Sequence, residues 1–435
     1  MAGDPGWLAA SLLVPTDAQW LAEWLGLPRG GTRPVRVASP CVGVDSPARA
    51  AMALKFPWVS VLVYDIEPEL LPALRALHGA DHSKMRIGRR CGDVTRLSSD
   101  LIARHLGQHG FQECDGLVSG FPCPPYSSIG SRKLGSDPRS LVCTAVVNMI
   151  CWLAKNHRLM WFVLENVPGI TKRKHGDEES FADWLMRYIL EQLNKEAVTG
   201  WDCKLKPHTA AHCSLVQHRA RVFFVGTSPL LREMPIQRAL LNTPVPERPK
   251  ASLRTIFSPT RADEDFVSTT CGQQMNVLMQ LQALDKMADV DQKFGDIIAI
   301  ADISRDPSKE AGVDSDLKID RCATFRTNNR FLWLIPGRNL RSTYGEHGRY
   351  LSRDEKCLAS GIAPGSLREL SLHRLEVALG NTIPPPLVGD ILAPVLSAWT
   401  LAMRQLQERD WLHENGTQAR HNSGGGSGSE QDAGA

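Results

Sequence analysis

Gly116-Leu117-Val118-Ser119-Gly120-Phe121-Pro122-Cys123-Pro124-Pro125-Tyr126-Ser127-Ser128-Ile129-Gly130 is the stretch whose reading decides the fold. Its apolar start reads as a short buried strand that stops at Gly120, after which the Pro-Cys-Pro-Pro segment lifts one thiol above the strand's carboxyl end. Open α/β sheets place their chemistry at that end. Prolines on both sides of Cys123 exclude a helix interior or a central strand there, so packing gives little reason for a cysteine. Two readings stand: Cys123 is a nucleophile, or it is an inert thiol buried in a tight turn.

Working outward, the flanking segments alternate between strand and helix signals. Val35–Ala38 reads as a first strand, followed by the turn Ser39–Pro47 and a helix over about Ala48–Lys55. Val59–Tyr64 reads as a second strand that runs into Asp65-Ile66-Glu67, and a third over about Met85–Cys91 ends at Gly92-Asp93-Val94. Acids at successive strand ends, the first about 20 residues after the opening turn, suit the ribose of an adenosine-like ligand laid across the sheet. Met160–Leu164 is a fifth strand ending in Glu165-Asn166-Val167. A carboxylate at the end of a wholly apolar strand is partly desolvated, which favours its holding a proton. Glu165 is therefore a candidate acid, or a cap for the next helix.

Further along, Arg219 and Arg221 lie two apart on a β-like run, so both guanidiniums face one side and ask for anions or carbonyl oxygens. The alternative is an exposed edge strand blunted by charge. Cys203, His208, His212 and Cys213 form a Cys/His cluster whose spacing matches no standard zinc finger, so no metal is expected. Helices are expected over Asp183–Leu193 and about Leu387–Gln407, the latter returning to the sheet.

Bulk composition is compatible with this picture. A chain of 435 residues exceeds one small core, and a net charge of +3 neither requires nor excludes a nucleic-acid partner. Eleven cysteines without a Cys-x-x-Cys pair fit reduced thiols in an intracellular protein, nuclear in a eukaryote or cytoplasmic in a bacterium. No signal sequence or membrane role is indicated. The expected organisation is a helical extension over 1–32, a catalytic sheet domain over 33–227, a smaller inserted domain over 228–341, a returning segment over 342–412 and a Gly/Ser-rich disordered tail over 413–435.

Five stretches in this order resemble the cytosine-5 DNA methyltransferases. They are Gly120-Phe121-Pro122-Cys123, Glu165-Asn166-Val167, Gln217-x-Arg219-x-Arg221, Arg349-Tyr350-Leu351-Ser352 with Glu355, and Gly380-Asn381-Thr382-Ile383-Pro384-Pro385. The match departs in the first loop, where Cys41-Val42-Gly43-Val44-Asp45-Ser46 stands for Phe-x-Gly-x-Gly-Gly, and at Pro124, where the family has Gln.

The resemblance implies an α/β, Rossmann-like fold dependent on S-adenosylmethionine, with a target-recognition domain inserted. It implies that Cys123 attacks carbon 6 of a flipped-out cytosine, that Glu165 serves N3, that Arg221 holds O2, and that Arg219 contacts phosphate or supports the loop. By the same resemblance the cofactor lies on Cys41, Gly43, Asp65, Ile66, Asp93, Val94, Pro122, Asn381 and Thr382. Nucleic acid lies on Ser127, Ser128, Gln217 and Arg219. Double-stranded DNA is the expected partner, with tRNA as an alternative substrate and a non-enzymatic nucleic-acid-binding relative as another; the oligomeric state is left open.

Overall fold

The computed structural model describes residues 33–79, 84–122, 140–173, 178–217, 219–245, 247–248, 251–256, 270–303, 317–322, 325 and 332–423. The amino-terminal extension expected over 1–32 lies outside them, as do Cys123, Pro124, Ser127 and Ser128.

Seven strands form one sheet: β1 (Val35–Pro40), β2 (Trp58–Asp65), β3 (Met85–Ile87), β4 (Gly116–Ser119), β5 (Trp161–Asn166), β6 (Asp202–Thr209) and β7 (Ala220–Thr227). Their order across the sheet is β3-β2-β1-β4-β5-β7-β6. The pairings from β3 to β5 are parallel, while β7 runs antiparallel to both β5 and β6. A strand with helices on both faces is apolar where they cover it, and β5 is so over its first four residues: Trp161, Phe162, Val163 and Leu164 are all fully buried. Alternate residues serve opposite layers. Phe162 and Leu164 share one buried cluster with Leu106, Val146, Ile150, Leu185 and Ile189, which come from α3 (Ser99–Gln108), α4 (Ser140–Asn156) and α5 (Phe181–Lys195). Trp161 and Val163 belong to the other layer, with Ala50 of α1 (Ser46–Ala53) and the apolar face of the last helix. The helix α2 (Leu71–His78) follows β2.

A second, four-stranded sheet contains β8 (Ile298–Asp302), β9 (Leu317–Ile319), β10 (Leu332–Pro336) and β11 (Arg349–Tyr350) in the order β11-β10-β8-β9, all antiparallel. The expected boundaries of an inserted unit over 228–341 do not match where these residues pack. The helix α6 (Pro235–Asn242) buries Leu240 and Leu241 in the layer of the first sheet, and β11 extends the second sheet beyond 341. The insertion contains a 20-residue helix, α7 (Cys271–Val290), opened by a capping box between Thr270 and Gln273, whose Val277, Leu281 and Leu284 pack on Ala299, Ala301 and Ile335.

Among the described residues three further helices follow β11: α8 (Arg353–Ala359), α9 (Leu372–Asn381) and α10 (Pro385–Ser423). The expected end of the last helix near Gln407 is too early, and the expected third strand over Met85–Cys91 shrinks to three residues because the chain turns at Gly88, whose φ is 128°. The segment Leu372–Arg409 is apolar enough to span a bilayer by length alone, yet 83% of its apolar window is buried inside the fold, as befits a core helix.

Candidate active site

The carboxyl ends of β4 and β5 sit side by side, and the sequence places Gly120-Phe121-Pro122 and Glu165-Asn166-Val167 on them. Asn166 is fully buried and donates from its side-chain amide to the carbonyl of Phe121 at 3.2 Å, tying the root of the Cys123 loop to the neighbouring strand end. The side-chain oxygen Oδ1 of Asn166 accepts from the Val167 backbone amide. Phe121 is a further anchor, 1% exposed in the layer of α3 to α5.

Glu165 was expected as a partly desolvated acid or as a cap for the next helix. It is instead half of a buried ion pair: Arg221 Nε lies 2.6 Å from Glu165 Oε1, with side chains 10% and 5% exposed. Register explains the meeting. Glu165 faces Phe223 across the antiparallel β5–β7 pair, so Arg221 is its diagonal neighbour on the same face. Arg221 also donates to the Ala220 carbonyl at 2.6 Å. Gly120 leaves room beside the pair: a Cβ there would stand 3.4 Å from Glu165 Oε2 and 3.5 Å from Ile383.

Arg219 does not share the position of Arg221, and of its two expected roles, contacting phosphate or supporting the loop, its contacts are of the supporting kind. It is 3% exposed and donates to the carbonyls of Gly380 at 2.8 Å and Phe325 at 3.3 Å, because it precedes β7 and turns inward to bind two distant segments together. Gln217 is likewise 1% exposed, and its backbone bridges to Cys322. No hydrogen-bond partner for its side-chain amide lies among the described residues.

Three of the nine expected cofactor residues, Gly43, Asp65 and Asn381, line one cavity. Asp65 accepts from the backbone amides of Gly43 at 2.8 Å and Glu67 at 3.0 Å. Burial pushes its carboxyl above the ordinary value, with those amides opposing. Cys41 is partly buried nearby, and desolvation together with the charge of Asp65 pushes its thiol up. Asp93 caps the following turn by accepting from the Thr95 amide, and Val94 is buried beneath it. Pro122 is half-buried. Ile66 is 48% exposed, and the Thr382 hydroxyl donates to Ala378 within its own helix, so neither lines that cavity.

The residues fit a nucleoside ligand. Strand-end carboxylates Asp65 and Glu67 suit ribose hydroxyls, Leu70 and Val377 supply apolar walls, and the buried Oε2 of Glu69 has no hydrogen-bond partner among the described residues. Glu69 and Arg374, paired at 2.6 Å, were missed from the sequence. The acidic spacing Asp65-x-Glu67-x-Glu69 was a usable signal, whereas Arg374 lies on an ordinary helix with none.

A profile of the C-5 cytosine-specific DNA methylases matches residues 82–288. Type II methyltransferase M.DsaV of Dactylococcopsis salina is 32% identical over 135 residues, covering 31% of this chain and 32% of that protein. Type II methyltransferase M.BsuFI of Bacillus subtilis is 25% identical over 203 residues, covering 43% and 44%. The chain thus spans under half the length of these curated relatives. Among solved structures, the methyltransferase EhMeth of Entamoeba histolytica superposes with a TM-score of 0.51 at 12% identity, over 86% of this chain and 99% of that one. DNMT2 of Spodoptera frugiperda gives 0.50 at 13%, over 83% and 99%. These two likenesses show the fold. The profile match spans the Cys123, Glu165 and Arg221 motifs in their expected order, so residues 82–288 are similar to the C-5 cytosine-specific DNA methylases, as are the segments shared with the two Type II methyltransferases.

Proposed function

We propose that the protein transfers a methyl group from S-adenosylmethionine to carbon 5 of a cytosine in double-stranded DNA through a transient bond between Cys123 and carbon 6. The observation that carries this reading is the buried Glu165–Arg221 pair beside Gly120, at the root of the loop that bears Cys123. A pyrimidine entering there meets a carboxyl group for N3 and a guanidinium for O2. Thiolate addition at carbon 6 breaks the 5,6 double bond and moves its electron pair to carbon 5, with charge accumulating at N3 and O2 where Glu165 and Arg221 stand. When bound, S-adenosylmethionine supplies the electrophilic methyl group. Solvent water then takes the carbon-5 proton, the freed electron pair re-forms the 5,6 double bond, and the bond between Cys123 and carbon 6 breaks to release the thiolate. Since the sulfur must reach a ring atom, the target base leaves the stack. Asp65, Glu67 and Asn381 would hold the cofactor.

The test is incorporation of labelled methyl groups into duplex DNA and, in parallel, tRNA. Incorporation into DNA by the wild type that is lost in Cys123→Ser is the expected result. Incorporation confined to tRNA would move the substrate assignment, and none into either would remove the activity.

A further inference from the structure

His208 at the end of β6, Cys213 in the 3-10 turn Ala210–Cys213 that follows it, and Asp390 on α10 converge with one atom each. His208 Nε2 lies 3.1 Å from Cys213 Sγ and 3.1 Å from Asp390 Oδ2, and Sγ lies 3.3 Å from Oδ2. The residues are 5%, 0% and 5% exposed. Proton counting shows what is unusual. With Asp390 a carboxylate against the Arg248 guanidinium, at most two hydrogens are available among the three atoms, on Sγ and on Nε2, so the three short edges cannot each hold a linear hydrogen bond of its own. Nor is this a nucleophilic relay. A relay uses both imidazole nitrogens, one toward the thiol and one toward the carboxylate, whereas here both neighbours crowd Nε2.

Three lone-pair donors aimed at one point are satisfied together by a cation. A triangle with these edges has a circumradius of roughly 1.8 Å, so an ion at ligand distances of about 2.0–2.3 Å stands roughly 1 Å above its plane and keeps a fourth vertex. Imidazole, thiolate and carboxylate together suit zinc. Arg248 supplies the outer partner such a carboxylate needs, donating from Nη2 to Oδ1 at 2.5 Å and from Nη1 to Oδ2 at 3.1 Å. The cluster expected from the sequence is only half present: Cys203 pairs with Gly226 at the opposite end of β6, and the half-exposed His212 approaches Glu247. Asp390, 177 residues after Cys213, takes their place.

We propose that His208, Cys213 and Asp390 form a structural zinc site that locks the edge strand β6 to α10. On binding, bonds form from zinc to Nε2, Sγ and Oδ2, the Cys213 S–H bond breaks and its proton passes to solvent, and His208 keeps its hydrogen on Nδ1. His208 pairs with Arg221 across β6 and β7, so the site steadies the strand next to the catalytic pair.

Metal analysis of the desalted full-length chain tests this. The expected content is about one zinc per chain, falling below ~0.1 in Cys213→Ala. Cobalt substitution should give a thiolate-to-metal charge-transfer band that survives Cys123→Ser and disappears in Cys213→Ser. Should the Cys213 variants fail to fold, stripping the wild type with a chelator must lower its melting temperature, with recovery on adding zinc. Wild-type protein that neither carries zinc nor takes up cobalt with that band overturns the proposal, as does a band lost in Cys123→Ser alone.

Discussion

Two loops at the carboxyl edge of the same sheet are built on opposite principles. After β5 the business is done by side chains: Glu165 pairs with Arg221, and Asn166 holds the Phe121 carbonyl. After β1 it is done by backbone shape. Cys41, Gly43 and Asp45 all adopt positive φ, at 57°, 58° and 54°, so the chain keeps a left-handed path although only one of the three is glycine. Non-glycine residues bear about 1–2 kcal/mol for that conformation. Asp45 offsets its share by accepting from the Ala48 amide at 3.2 Å to cap α1 and by meeting His78 Nε2 at 2.8 Å. A side-chain site tolerates no change of identity, whereas a backbone site tolerates any residue whose strain is compensated.

The largest break in this comparison should come from Glu165→Gln. It keeps the shape but leaves Arg221 without a counter-charge and N3 without an acid, so the turnover number should fall about 10²–10⁴-fold. Single-turnover methylation measures it, and a loss under tenfold would mean that Glu165 only positions Arg221.

The contrast also explains what was legible beforehand. The apolar runs of β1, β4 and β5, and the acidic or small residues that end them, announced a parallel sheet, because a strand covered on both faces has no alternation to hide. Glu165 and Arg221 were legible as separate groups, but their pairing depends on β7 running antiparallel beside β5, which no local pattern states. Arg219 misled because spacing of two puts residues on one face only within a strand, and β7 begins at Ala220. The helix α7 was missed since Gly, Gln and Asn dilute its apolar stripe.

A second break targets the β1 loop. Asp45→Ala removes the cap and keeps the strain, so it should destabilise the fold by about 2–3 kcal/mol, read from the midpoint of urea unfolding. Asp45→Gly removes the cap and also the strain, and should cost about half as much. Equal losses would show that the carboxylate matters and the backbone conformation does not.

Asp65→Asn probes the neighbouring carboxylate, which supports the Gly43 amide. Its cofactor dissociation constant should rise about tenfold in calorimetry if Asp65 holds ribose hydroxyls. Stability should move the other way with pH. Burial raises the folded-state value above the unfolded one, so this group's contribution is fully present below the unfolded pKa of about 3.9 and is lost as pH rises through the folded value. The urea midpoint of Asp65→Asn relative to wild type should therefore increase from acid to neutral pH. A difference that stays flat would remove the buried-carboxylate argument.

Gly120→Ala is the mildest change and the sharpest discriminator. Gly120 is not among the residues of positive φ, so alanine fits the backbone, and its Cβ would meet only ordinary contacts at 3.4 and 3.5 Å. Restricting the unfolded chain should then leave stability unchanged or raise it by up to about 0.5 kcal/mol. The same methyl fills space next to Glu165 Oε2, where the proposed mechanism puts the pyrimidine ring, so on that proposal KM for DNA should rise about three- to tenfold. Gly116→Ala is the control for mere crowding: its Cβ would fall 2.1 Å from the Trp161 ring, in the core below the site, so it should destabilise strongly. If Gly120→Ala instead lost stability and activity together, the gap beside Glu165 would be a packing necessity of the strand end rather than a place kept open for the base.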